Sequence, residues 1–320
     1  MKNKKLGLPY MGSKRRLSRE IVDHILTAHP NTKYVWDLFG GGGAISFEFL
    51  QRPQIERVVY NELNTGVVEL LRKIQKDGVT PEFYQWVDRD TFHAHKSDDD
   101  WFGGLCAVVW SFGSGQRNYL FGKHIEETKR QAHECVVNGT PFELDGVSFN
   151  ALHGSTINER RLSFRRIVAA NKGRFDLQHL EQLQRLQQLQ RLEHLQRLKQ
   201  SEQLEHLEQL QRLQRLEQLQ QLEILNQSAF DVVVDTPVAE TIIYLDPPYK
   251  GTAKYQEDVC HDELKRYIDN SPYTVYLSSY DFDLPVVKQM KHRSTLSSTA
   301  NNATVEKLFC NKTEHKNTLF

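Results

Sequence analysis

The sequence predicts an α/β fold in which one doubly wound sheet is interrupted by a mostly helical domain. Three observations carry this. Strand-like apolar runs alternate with helix-like runs in two blocks, over residues 34–76 and 230–279. A glycine cluster, Gly40–Gly43, follows the first strand-like run directly, where a doubly wound sheet opens toward its ligand crevice. Between the blocks, residues 83–171 show no strand–helix–strand rhythm and read as a separate unit.

Ser13 is placed to cap a helix through Leu17, Ile21 and Ile25. Tyr34–Phe39 reads as a strand, and a helix through Ile45 and Phe49 follows the glycines. Ile55–Tyr60 reads as the second strand and Asn64–Lys76 as the next helix, while Thr80 and Pro81 form an N-cap and first-turn pair. In the second block, Phe230–Val234, Thr241–Leu245 and Tyr273–Ser279 read as strands, with a helix at His261–Asn270.

Directly before the second block lies a biased segment. From Leu177 to Leu225 a leucine recurs every third residue, interrupted only at Ser201, and these 49 residues include 16 Leu and 15 Gln. At about 100° per residue, each step of three falls about 60° short of a full turn, so the leucines circle a helix and form no fixed seam. Leu, Gln, Glu and Arg all favour helix, and Gly and Pro are absent. The segment is expected as a long Leu/Gln-rich helical insert, broken near Lys199–Ser201. An oligomerisation arm and a tolerated insertion are its two readings, and low complexity favours the insertion.

Composition narrows the class. The chain has 320 residues with 41 basic against 41 acidic, which argues against a histone-like polycation while leaving local patches open. Four scattered cysteines without a CxxC pair point to a reduced, cytoplasmic setting. No stretch approaches 18 apolar residues, so a membrane protein is not expected. His93, His95, His124, His133, His153 and His261 show no metal-ligand spacing with the cysteines, and no metal is expected.

Three motifs carry chemistry. The first is Asp37-Leu38-Phe39-Gly40-Gly41-Gly42-Gly43, whose glycines let backbone approach a ligand at the carboxyl edge of a sheet. A GxGxxG dinucleotide fingerprint would need glycine where Ile45 or Ser46 stands, so a nicotinamide site is disfavoured. The second is Glu62, 22 residues after Gly40 at the end of the second strand, where an acid can accept both hydroxyls of a ribose. The third is Asp246-Pro247-Pro248-Tyr249 after the apolar run Ile242–Leu245. Two prolines remove two amide donors, so Asp246 and the Pro247 carbonyl can both accept from one amino group, and Tyr249 offers a ring for stacking a planar base.

With these residues the chain resembles the DNA adenine methylases that use S-adenosylmethionine, particularly phage- and prophage-encoded members. Leu8-Pro9-Tyr10-Met11-Gly12-Ser13-Lys14 is similar to the family's N-terminal cofactor motif, and the glycine cluster to its methionine-binding loop. The Glu62 turn resembles the ribose motif and Asp246–Tyr249 the catalytic one. Val275–Tyr280, Lys291–Leu296 and Ala300–Asn302 resemble downstream segments. One departure stands out: the family often has an acid just before an aromatic ahead of the catalytic strand, and here Ala229 precedes Phe230.

The resemblance implies a Rossmann-like methyltransferase sheet, S-adenosylmethionine as cofactor and double-stranded DNA as substrate. Tyr10, Lys14, Asp37, Phe39, Gly40, Gly42, Glu62 and Asp246 would face the cofactor, with Tyr10 and Lys14 at its methionyl end and Asp37 near its ammonium. Asp246, Pro247, Pro248 and Tyr249 would carry catalysis on a flipped adenine. The expected domains are a catalytic part at 1–76 and 226–320, target recognition at 77–176, and the repeat insert at 177–225. A bacterial or phage-infected cytoplasm is the implied setting, with room for a cognate restriction endonuclease as partner.

DNA contact requires local basic charge. Residues 1–20 carry seven basic residues against Glu20, a net +6, and residues 157–174 carry six against Glu159, a net +5. Arg160, Arg161, Arg165 and Arg166 in the second cluster are expected on phosphates. Two rival readings share much of this evidence: methylation of cytosine's exocyclic amine, where Ser commonly stands before Pro-Pro, and a degenerate non-catalytic DNA-binding scaffold assembled by the repeat. The intact Asp246–Tyr249 motif favours the adenine enzyme.

Overall fold

The computed structural model describes residues 7, 8, 10, 12–175, 188, 191, 222–248, 259–292 and 304–312. Its described strands, in chain order, are β1 Tyr34–Asp37, β2 Arg57–Asn61, β3 Glu143–Leu144, β4 Val147–Ser148, β5 Leu222–Leu225, β6 Thr241–Leu245, β7 Thr274–Ser279, β8 Val286–His292 and β9 Thr304–Cys310. The described α-helices are α1 Ser18–Ala28, α2 Ala44–Phe49, α3 Thr65–Asp77, α4 Arg89–His95, α5 Trp101–Val109, α6 Lys123–Asn138, α7 Ile157–Ala170 and α8 His261–Asn270. Two compact units divide them. The first takes Gly7, residues 12–68 and the described residues from Leu222 onward; the second takes Leu8, Tyr10, residues 69–175, Gln188 and Arg191.

In the first unit seven strands form one sheet in the order β5-β2-β1-β6-β7-β9-β8. The pairs from β5 to β7 are parallel, and β9 runs antiparallel to both β7 and β8. Counted within the sheet alone, the order is 3-2-1-4-5-7-6, a doubly wound core extended by a hairpin whose second strand lies innermost. The central strands read as unbroken apolar runs because they are covered on both faces: every residue of β6 and β7 is buried. On one face, Leu264 and Ile268 of α8, one helical turn apart, pack with Trp36, Ile243, Leu245, Val275, Leu277 and Phe309. Helix α1 buries Ile21, Val22, Ile25 and Leu26.

Several sequence expectations change here. Ser13 does not cap α1: the helix starts at Ser18 behind Leu17, with no side-chain cap. Thr80 precedes a short 3-10 turn at Pro81–Tyr84, and its hydroxyl bonds to Glu82 instead of a backbone amide. Phe230–Val234 is not a strand; residues 229–231 turn and 232–235 are irregular. The strand that pairs with β2 is β5, Leu222–Leu225, so the last four residues expected in the helical insert are extended. Parallel pairing of Val58–Asn61 with Leu222–Leu225 overrides the helix preference of the repeat. Residues 177–187, 189–190 and 192–221 lie outside the described residues, and with them most of the expected insert.

The second unit is mostly helical among its described residues. Asp88 caps α4 by accepting from the Thr91 amide, Asp100 caps α5 through the Gly103 amide, and Thr156 with Glu159 forms a capping box on α7. Trp86 packs against Trp110, Phe121 and His133, while Phe149 and Phe164 stack at 4.5 Å between ring centres. Gln188 and Arg191 are helical; Gln188 is fully buried, and the Arg191 guanidinium donates to the Ser111 carbonyl at 2.7 Å. These two residues of the repeat therefore belong to this unit's packing. No described helix is long and apolar enough to cross a membrane.

Candidate active site

The sheet order places a crevice between β1 and β6, because the chain winds away from β1 in both directions there. Asp37 is the last residue of β1 and pairs with Tyr244 of β6; Asp246 stands just beyond Leu245, the last residue of β6. The same carboxyl edge thus carries two of the expected site residues from opposite ends of the sequence.

Around Asp37 the loop is held from several sides. The Leu38 amide donates to the Tyr244 carbonyl at 3.1 Å and the Gly40 amide to the Asn61 carbonyl at 2.8 Å. At Gly40 an added Cβ would lie 2.2 Å from the ring of fully buried Tyr60, so no side chain fits there. Gly41 and Gly43 take left-handed φ values of 50° and 71°, which turn the loop into α2. The Tyr60 hydroxyl donates to the Gly41 carbonyl at 2.7 Å. Gly42 is buried, and half-buried Phe39 sets its ring edge-on against Phe230.

Glu62 braces this loop. It accepts from the Gly41 amide at 2.8 Å with one carboxylate oxygen and from the Asn64 amide at 3.0 Å with the other. Burial raises its pKa, and the amides of Asn64, Gly41 and Leu63 pull it back. Two residues not singled out from the sequence complete the tie. Buried Asn61 donates to the carbonyls of Leu38 and Gln227, at 3.1 and 3.0 Å, and Asn226 donates to the carbonyls of Glu62 and Leu63. The loops after β1, β2 and β5 are therefore fastened together. An asparagine after a strand looks like ordinary turn chemistry, so only the paired loop could have revealed this role.

Asp37 is 1% exposed. Ser46 donates to one of its carboxylate oxygens at 2.6 Å, and the other oxygen is buried with no hydrogen-bond partner among the described residues. Burial pushes its pKa up to about 7 against the Ser46 hydrogen bond, and the charge of nearby Asp246 adds to the rise.

Lys14 is the principal surprise. Its ammonium lies 2.7 and 2.8 Å from the two carboxylate oxygens of Asp246 and 3.8 Å from Glu306 of β9. The sequence expectation puts Lys14 at a cofactor's methionyl end, and the structure pairs it with Asp246, across 232 residues of chain. Burial works to lower the Lys14 pKa, yet Asp246 and Glu306 together raise it above the ordinary lysine value. Pro247 is buried and Pro248 half-buried. Tyr249 lies outside the described residues. Tyr10 is half-buried and belongs to the second unit.

Among the expected DNA contacts, α7 divides its arginines. Arg160 donates to the carbonyls of Val136 and Val137 near the end of α6, at 2.7 and 2.9 Å, and Arg161 is buried and bonds to Asn158. Both have work inside the unit, whereas Arg165 and Arg166 are exposed.

Residues 10–102 match the family model of the D12 class N6 adenine-specific DNA methyltransferases. The match spans 93 of the 320 residues and supports adenine-specific DNA methylation by this chain. The matched segment holds Tyr10, Lys14, Asp37, the glycine loop and Glu62, while Asp246 lies beyond it. An N6 adenine family favours adenine over the cytosine reading, because the two amines share chemistry but not the base. No curated protein matches the chain.

The residues fit the sulfonium cofactor that the family implies. Asp37 presents a buried carboxylate oxygen without a partner among the described residues, suited to an ammonium group. At Gly40 and Gly43 the space a side chain would need is taken by the Tyr60 and Phe47 rings, so the loop stays bare backbone, and Glu62 keeps acceptor capacity beyond its amide bonds.

Proposed function

We propose that the methyltransferase transfers a methyl group from S-adenosylmethionine to the exocyclic amine of a flipped adenine in double-stranded DNA, with Asp246 as the residue that positions the amine. When bound, the cofactor supplies a methyl group made electrophilic by its sulfonium. In this reading Asp37 receives the ammonium of the methionyl end, the Gly40–Gly43 backbone and Phe39 line its path, and Glu62 accepts from the ribose. By the resemblance, Tyr10 and Lys14 would hold the methionyl end.

The amine of adenine is a weak nucleophile because its lone pair is delocalised into the ring. Asp246 and the Pro247 carbonyl, both accepting hydrogen bonds from the amine, would pyramidalise the nitrogen and aim its lone pair. Pro248 stiffens the turn, and Tyr249 is the proposed platform for the flipped base. The reading rests chiefly on one observation: the carboxylates of Asp37 and Asp246 stand at the carboxyl ends of adjacent strands, at the topological switch point.

The first unit is the proposed catalytic domain and the second the proposed target-recognition domain, with Arg165 and Arg166 on phosphates. Four free cysteines suit a cytoplasmic enzyme. Methylation of a defined site would shield it from a nuclease reading the same site, so a cognate restriction endonuclease is the proposed partner class. The test is nucleoside mass spectrometry of duplex DNA incubated with the enzyme and cofactor. N6-methyladenine is expected, and methylated cytosine alone would overturn the proposal.

A further inference from the structure

The reading above assigns no role to Glu306, which is 1% exposed on β9 yet carries a carboxylate. An ionisable group so buried is costly unless something compensates it. Its neighbour is the Lys14 ammonium at 3.8 Å, beyond hydrogen-bond range but close enough for strong Coulombic attraction where water is scarce. Lys14 in turn hydrogen-bonds both oxygens of Asp246 and reaches toward the Gly12 carbonyl at 3.4 Å. The side chains run Glu306, Lys14, Asp246 from the antiparallel edge of the sheet to the switch point.

A lysine paired with Asp246 alone would make a neutral couple, which offsets the help the carboxylate gives to the positive charge that an attacking amine acquires. A second carboxylate changes the balance: with all three ionised, Asp246, Lys14 and Glu306 together carry a net charge of −1. The cluster then stabilises developing positive charge on the nitrogen while Lys14 still fixes the carboxylate plane.

We propose that Glu306 is a positioning residue for methyl transfer, anchoring Lys14 so that Asp246 is held in plane within a net anionic cluster. This rests on the assignment of Asp246 above. The titratable groups facing Lys14 from the surrounding elements are Asp246 after β6, Glu306 on β9 and Tyr280 after β7, with Tyr244 and Asp37 coupled through Asp246.

The test compares wild type, Glu306→Gln, Glu306→Asp, Lys14→Met, the Lys14→Met/Glu306→Gln double variant and Asp246→Ala on duplex DNA with saturating S-adenosylmethionine. Glu306→Gln is expected to lower kcat at least about tenfold with little change in KM for the cofactor. Its alkaline limb should move to lower pH, because Lys14 loses one of the two carboxylates that raise its pKa. Glu306→Asp restores the charge and is expected to recover most of the rate. In the Lys14→Met background, removing Glu306 should cost less than it does in wild type, since the anchoring part of its effect runs through Lys14 and only the charge part remains. If single Glu306→Gln does not fold, the comparison of Lys14→Met with the double variant and the Glu306→Asp profile carry the decision. Wild-type kcat and an unmoved alkaline limb in Glu306→Gln, or additive losses in the double variant, would overturn the inference. An active Asp246→Ala enzyme would instead overturn the catalytic assignment, a distinguishable result.

Discussion

Ser46 donates a 2.6 Å hydrogen bond to one carboxylate oxygen of Asp37 and leaves the other buried without a partner among the described residues. The carboxyl group sits in low dielectric with half of its acceptor capacity unused, and its pKa is pushed up to about 7. This links the site to both pH and ligand.

The stability consequence has a definite sign. A carboxyl group whose folded pKa lies above its unfolded value stabilises the fold below the unfolded pKa, and that contribution is lost as pH rises toward the folded one. For Asp37 the window runs from the ordinary aspartate value of 3.8 to about 7. Asp37→Asn is therefore expected to raise Tm relative to wild type at neutral pH, with the gap closing toward pH 4; thermal melts across that window check it.

Cofactor affinity should move the opposite way. An ammonium group prefers the ionised carboxylate, so binding of S-adenosylmethionine is expected to strengthen from pH 6 toward neutrality in wild type. The same titration should be nearly flat in Asp37→Asn. Isothermal titration at several pH values decides this, and equal slopes for the two proteins would contradict it.

At Gly40 the constraint is steric. A methyl group 2.2 Å from the buried Tyr60 ring leaves neither side room to move. Gly40→Ala is expected to destabilise the protein by about 1–3 kcal/mol, as overpacking in a dense interior does, and to weaken cofactor binding. Denaturant titration and isothermal titration measure the two effects.

The arginines of α7 should separate into two classes. Charge reversal at Arg165 and Arg166 is expected to weaken DNA binding and flatten its salt dependence while leaving Tm unchanged. Arg160→Ala removes hydrogen bonds to the carbonyls of Val136 and Val137 and should cost about 1 kcal/mol of stability, since one partner set is partly exposed. DNA titrations at several salt concentrations, paired with melts, distinguish them. A DNA-binding loss at Arg160 without a stability loss would reverse the assignment.

Local chemistry explains why much of the fold was legible. A strand, a glycine loop and a helix follow one another in residues 34–49, and β6 delivers Asp246-Pro247-Pro248 within a single short segment, so composition and order reveal both halves of the crevice. Helix α8 was bounded correctly at His261–Asn270 because its apolar positions recur at helical spacing. What stayed hidden depends on distant partners. The four residues of β5 continue the leucine spacing of the repeat, and only their pairing with β2 makes them a strand. Phe230–Val234 has strand-forming residues but no neighbouring strand to pair with. Lys14 meets Asp246 across 232 residues, and Glu306 is an unremarkable glutamate until β9 is laid between β7 and β8. Arg160 and Arg161 stand in a basic cluster that looks uniform in sequence, and tertiary packing alone divides it.

The central claim is that Asp246 carries the transfer. Its most direct test is incorporation of labelled methyl from S-adenosylmethionine into duplex DNA by Asp246→Ala beside wild type, with cofactor affinity measured on the same preparations. The variant is expected to bind the cofactor and to transfer no methyl group. Full incorporation by Asp246→Ala would contradict it.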